Sequence, residues 1–154
     1  MKVTPFVRRD IAHMLLGARL GRGIGRKVYV CRLDPRFVVK VEDRGEAFQN
    51  IVEWETWQAV REDREARWFA PCVSISPDGS VLIQRRTEPA SHSEYPKRMP
   101  VFLGDYKREN FGMLDGKLVC HDYGLLTNLT NGVYNKTTRA ADWRIPVGML
   151  GGLA

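Results

Sequence analysis

The chain has 154 residues, 44% of them apolar, with 24 lysines and arginines against 18 acidic residues and a net charge of +6. That length suits one domain or two small lobes sharing a core, and that composition excludes a disordered chain. No run of about 18 uncharged apolar residues occurs, so no membrane-spanning helix is expected.

Residues 1–17 do not read as a signal peptide, because Arg8, Arg9, Asp10 and His13 interrupt their apolar stretch. Cys31, Cys72 and Cys120 are odd in number and form no CxxC, which argues against a disulfide framework or a zinc site and for a reducing cytoplasm. Residues 1–36 hold nine basic and two acidic side chains, whereas the rest of the chain is close to neutral. A positive field of that kind suits a polyanion, either the phosphates of a nucleotide or a nucleic acid.

In chain order, the spacing of Phe6, Ile11, Met14 and Leu15 predicts a short helix over residues 5–16, ended by Gly17. Residues 20–32 read as a glycine-rich turn, with Gly21, Gly23 and Gly25, feeding a strand. Asp34-Pro35 turns the chain into a second strand over residues 37–42. Residues 46–67 carry a helical pattern closed by Pro71. Residues 73–75 and 81–83 flank Pro77-Asp78-Gly79 and predict a hairpin. Residues 87–100, with three prolines, read as a linker between two lobes. Residues 111–122 predict one more hairpin turning at Asp115-Gly116, and the last thirty residues read as a polar tail. The expected fold class is α+β with antiparallel strands.

Several residues carry chemistry. Lys40 interrupts an apolar strand and faces the same way as Val38. On the following helix Glu53 or Glu55 is placed to pair with it. Glycines without side chains let backbone N–H groups approach phosphates closely. Asp105, Asn110 and Asp122 lie where one hairpin would bring them together. An Asn and an Asp offer hard oxygen ligands suited to Mg²⁺, and a further Asp suits proton removal from a hydroxyl. His13, His92 and His121 have no metal-ligand spacing, and Cys120 and the four tryptophans read as core.

Taken in order, these segments resemble the protein-kinase-like superfamily. Gly21-x-Gly23-x-Gly25-x-x-Val28 resembles the kinase glycine loop, with its third glycine one place early. Val38-Val39-Lys40 resembles the strand whose lysine holds the α- and β-phosphates, and Glu53 resembles its helix partner. Trp57 falls where a spine residue packs. Residues 82–87 resemble the strand into the hinge that cradles adenine, which implicates Arg85 and Thr87. Asp105-x-Lys107-x-x-Asn110 resembles the catalytic loop, and Asp122-Tyr123-Gly124 the metal-binding DFG motif.

The resemblance implies an N-lobe-like unit over residues 1–86, a hinge over 87–100 and a strongly reduced C-lobe over 101–154. It implies ATP and Mg²⁺ as cofactors, Asp105 and Lys107 as catalytic groups, and Asn110 and Asp122 as metal ligands. Leu103-Gly104 replaces the usual His-Arg, no APE motif follows, and Thr127, Thr130, Thr137 and Thr138 fall where an activation segment would lie. Three functions follow as expectations: a phosphotransferase acting on a protein hydroxyl or on itself; a pseudokinase-like module that binds a protein, of the kind a compact phage genome would direct at its host; or a nucleic-acid binder using the basic N-terminal segment. No helix-turn-helix or RNP-type strand supports the last. A reduced C-lobe also leaves apolar surface for a protein partner or a second copy to cover.

Overall fold

The computed structural model describes residues 5–23, 25–42, 48–126 and 134–144. Helix α1 (Pro5–Leu15) runs directly into β1 (Leu16–Gly23), followed by β2 (Arg26–Cys31) and β3 (Phe37–Glu42). Helix α2 (Gln49–Val60) leads through a short 3-10 helix (Arg64–Trp68) to β4 (Cys72–Ile75) and β5 (Val81–Arg85). These strands form one antiparallel sheet in the order β1-β2-β3-β5-β4. The second half has two small ribbons. One pairs β6 (Arg98–Pro100) with β9 (Thr138–Ala140), and the other pairs β7 (Phe111–Leu114) with β8 (Lys117–Cys120). The fold is α+β, and among the described residues no helix is long and apolar enough to cross a membrane.

Register explains how the sheet presents its polar groups. Val28 lies opposite Lys40, Lys40 opposite Leu82, and Val38 opposite Gln84. Directly opposed residues share a face, so these side chains make one surface. Helix α2 packs here with Asn50, Glu53, Thr56 and Val60 buried, a mostly polar stripe at helical spacing. Asn50 ties the helix down by donating to the carbonyls of Lys40 (3.1 Å) and Gly79 (3.0 Å). The carbonyl of Gly79 is available because the Asp78-Gly79 turn reverses the chain with Gly79 at φ +77°, a conformation that favours glycine.

The two halves share one core. Val60, Phe69, Cys72 and Leu82 meet Met99, Phe102, Leu103, Tyr106, Phe111, Leu118, Cys120 and Tyr123. Trp57 packs against this cluster from α2. Trp143 closes the far side with ring contacts to Tyr95, Tyr106 and Phe111 at 4.8, 5.6 and 4.9 Å.

Three expectations need correction. The glycine segment is mostly strand: Gly21 and Gly23 pair with Val28 and Arg26, and only Gly25, at φ +69°, belongs to the turn. The helix expected to reach residue 67 ends at Val60, because Asp63 adopts an extended backbone and a new 3-10 turn starts at Arg64. Residues 87–100 are more than a linker, since they contain a capped turn (His92–Glu94) and a strand paired with the tail. The expected N-terminal helix forms as α1, with Phe6, Ile11 and Met14 exposed on it. Thr127 and Thr130, and residues 145–154 of the expected second lobe, lie outside the described residues.

Candidate functional site

Lys40 is 3% exposed, and its Nζ donates to Glu53 Oε2 at 2.8 Å. Glu53 is fully buried, whereas Glu55 is exposed, so the helix partner of Lys40 is Glu53. Nζ also donates to the carbonyl of His121, which joins the sheet to the segment after β8. That segment is held tightly. The Tyr123 amide donates to Glu53 Oε1 at 3.0 Å, and its buried hydroxyl donates to the Ala70 carbonyl at 2.7 Å. Gly124 fits beneath α2 only because it has no side chain; a Cβ there would stand 2.7 Å from that of Gln49.

Arg26, at the start of β2, completes the network. Its Nη2 donates to Glu53 Oε1 (2.8 Å) and Asp122 Oδ1 (2.7 Å), although Arg26 is only 5% exposed. Two cations, Lys40 and Arg26, thus meet two carboxylates, Glu53 and Asp122. Burial opposes both charges of the Arg26–Glu53 pair, but the pairing outweighs it. It holds the Arg26 guanidinium above its ordinary pKa and the Glu53 carboxyl below the usual carboxylate range.

Above this network lies a cleft of about 730 Å³. Of the residues singled out from sequence, Gly21, Val28, Lys40, Arg85, Thr87, Asn110 and Asp122 line it. Glu53 lies behind it, beneath Lys40. Gly25 does not line it, and Asp105 and Lys107 stand to one side. Asp105 connects to the cleft through Asn110, whose Nδ2 donates to Asp105 Oδ2 at 3.3 Å. Lys107 Nζ is 3.4 Å from the same carboxylate oxygen, and Arg144 forms an ion pair with the other. The backbone fixes this cluster, because Arg108 N donates to the Arg144 carbonyl at 3.2 Å and Arg144 N to the Tyr106 carbonyl at 3.1 Å.

The strand expected to cradle adenine has most of its amides in use. Arg85, Arg86 and Glu88 donate to the carbonyls of Pro71, Arg36 and Met113. The Thr87 hydroxyl bonds His121 Nδ1 at 2.7 Å, while Nε2 bonds the Glu109 carbonyl at 2.8 Å. A carbonyl only accepts, so Nε2 carries the proton and Nδ1 accepts from Thr87. Burial lowers the His121 pKa and Lys40 adds to the effect, which favours the neutral ring.

Sequence reasoning missed Arg26, Arg144 and Gln84. The signal for Arg26 was strand alternation: it lies two residues before Val28 on the same face. Gln84, fully buried, donates to Glu53 Oε2 at 3.4 Å and keeps its Oε1 unpaired in the cleft wall. Arg144 carried no local signal at all.

Asn110 and Asp122 are adjacent, with the Asp122 amide 3.3 Å from the Asn110 carbonyl. An amide oxygen and a carboxylate fit Mg²⁺ when phosphate oxygens and water supply its remaining ligands. Among the described residues no group of three or more His, Cys, Asp or Glu side chains could hold a metal without such help. No protein-family model matches this sequence, and no curated protein does.

Proposed function

We propose that this chain is a minimal protein-kinase-like phosphotransferase that binds ATP in the cleft and transfers the γ-phosphoryl group to a hydroxyl, on a protein or on itself. One observation carries the reading: the buried Lys40–Glu53 pair, at 2.8 Å, lies beside the cleft that Asn110 and Asp122 enter from the other half of the chain. Phosphoryl transfer needs mainly positioning and charge stabilisation, and the cleft offers groups for both. Lys40, fixed by Glu53, presents an ammonium to phosphate oxygens. Asn110 and Asp122 would hold Mg²⁺, which when bound spreads the phosphate charge. Asp105 takes the proton of the acceptor hydroxyl as its oxygen bonds the γ-phosphorus, and the bond to the β-phosphate oxygen breaks to leave ADP. Lys107 steadies the charge of the moving group.

Calorimetry with ATP and a radiolabel transfer assay test this together. Lys40→Ala is expected to lose binding, whereas Asp105→Ala keeps binding and loses transfer. A folded wild type that binds no ATP, or full transfer by Asp105→Ala, would overturn the proposal. A second reading, a pseudokinase-like protein-binding module, is favoured by the arginines on both key carboxylates, Arg26 on Asp122 and Arg144 on Asp105. It predicts a partner complex that survives Asp122→Ala.

A further inference from the structure

Driving an arginine to 5% exposure is costly unless its charge and N–H groups find partners. Arg26 finds three: Glu53 at 2.8 Å, Asp122 at 2.7 Å and Asn50 Oδ1 at 3.4 Å. Glu53 is shared, because its other oxygen serves Lys40 at 2.8 Å. The second carboxylate, Asp122, is 46% exposed, and both it and Arg26 line the cleft. The cleft wall therefore carries a fixed cation bound to the carboxylate that would otherwise present itself to a metal.

A guanidinium has five N–H donors in a planar fork that matches phosphate oxygens, and it bonds a carboxylate and a phosphate with the same groups. A divalent cation in a nucleotide site does related work by joining a protein carboxylate to phosphate oxygens. Here the guanidinium already stands against that carboxylate, and a metal on Asp122 would meet a like charge beside it.

We infer that Arg26 is a phosphate-binding residue of the cleft and takes over part of the divalent cation's role, so that a nucleoside triphosphate binds without metal. The inference rests on the proposed ATP-binding function. Lys40 and Arg26 then flank the phosphates from adjacent strands, β3 and β2. Mg²⁺ adds little affinity while Arg26 is present and more once it is gone.

The test is titration of ATP into the full chain, once with excess EDTA and once with Mg²⁺, for wild type, Arg26→Ala, Arg26→Lys and Lys40→Ala. Wild type is expected to bind in EDTA within about tenfold of its affinity in Mg²⁺, a span of one charge-assisted hydrogen bond. Arg26→Ala should lose about tenfold or more in EDTA and recover most of that in Mg²⁺. Arg26→Lys keeps the charge without the fork and should fall between the two. It serves as the probe if thermal melts show that Arg26→Ala does not fold. Wild-type binding that needs Mg²⁺ and disappears in Lys40→Ala would overturn this inference and leave the proposed function standing. Equal EDTA binding by wild type and a folded Arg26→Ala would also overturn it. A folded wild type that binds ATP under neither condition would remove both.

Discussion

The two halves of this molecule hold their polar groups in opposite ways. In the sheet and α2, Arg26, Lys40, Asn50 and Glu53 are buried and bonded to one another. In the ribbons and single turns of the second half, Asp105 and Lys107 stand 40% and 47% exposed, held by an exposed arginine and a 3.3 Å amide contact. Regular secondary structure satisfies its own backbone, so the first half can bury charge on a rigid face. The second half spends side chains on its backbone, as when the Tyr106 hydroxyl donates to the Pro100 carbonyl and Trp143 to that of Pro96. Removing a member of the buried network should therefore cost stability as well as binding, whereas changing the exposed Asp105 or Lys107 should cost chemistry alone.

The largest expected effect is at Glu53. Glu53→Ala leaves buried Lys40 without its carboxylate and Arg26 with Asp122 alone, and should cost about 3–5 kcal/mol in urea unfolding. The same residue sets an acid limit. Its folded-state carboxyl lies below the ordinary value of 4.5, so its stabilisation is complete above that value and is lost as pH falls through the folded pKa. Melting temperature measured from pH 6 downward should drop below about 4.5 in the wild type, and less steeply in Glu53→Gln.

Next comes Trp143→Ala, which removes three ring contacts but leaves the sheet intact. A loss on the order of 2 kcal/mol is expected, with β9 and β6 losing hydrogen-exchange protection before the sheet does. Equal loss of protection in both halves would erase the comparison. Asp105→Asn should change stability least among the candidate site residues, by about 0–1 kcal/mol, because its ion pairs face solvent. If it unfolds the chain, Asp105 is a structural residue and its catalytic role fails. Asp78→Ala, at the turn between β4 and β5, should give a small drop in melting temperature near neutral pH. Hydrogen bonds from Ser80 and Ser76 hold the Asp78 carboxyl at about 2, so the difference should fade as pH falls through that value.

What the sequence revealed divides along the same line. β3 was readable because a short run of valines, Val38, Val39 and Val41, surrounds Lys40 after a turn, and the turn at Asp78-Gly79 because few residues tolerate its geometry. Lys40 followed from β3 and its helix partners from the helical pattern after it, although the choice between Glu53 and Glu55 needed the packing of α2. Arg26 was not readable as a bridge, because its partners lie 27 and 96 positions away. Periodicity reports on neighbours along the chain, and no local pattern encodes a contact of that range. The pairing of β6 with β9 fails to show for the same reason, since Arg98 meets Ala140 through three-residue strands too short to carry a period. Asp105, Lys107 and Asn110 were legible as a spacing, but not the arginine that would hold Asp105.

The cysteines give this architecture an internal clock. All three are free and buried, Cys72 on a strand of the sheet and Cys120 on a ribbon strand. Burial pushes the Cys72 thiol up to about 11 and raises that of Cys120 further, so neither forms a reactive thiolate while its surroundings stay closed. Each should react with an alkylating reagent only when its own half opens. Two labelling rates, read from the same tube, would show whether the halves come apart together or one at a time.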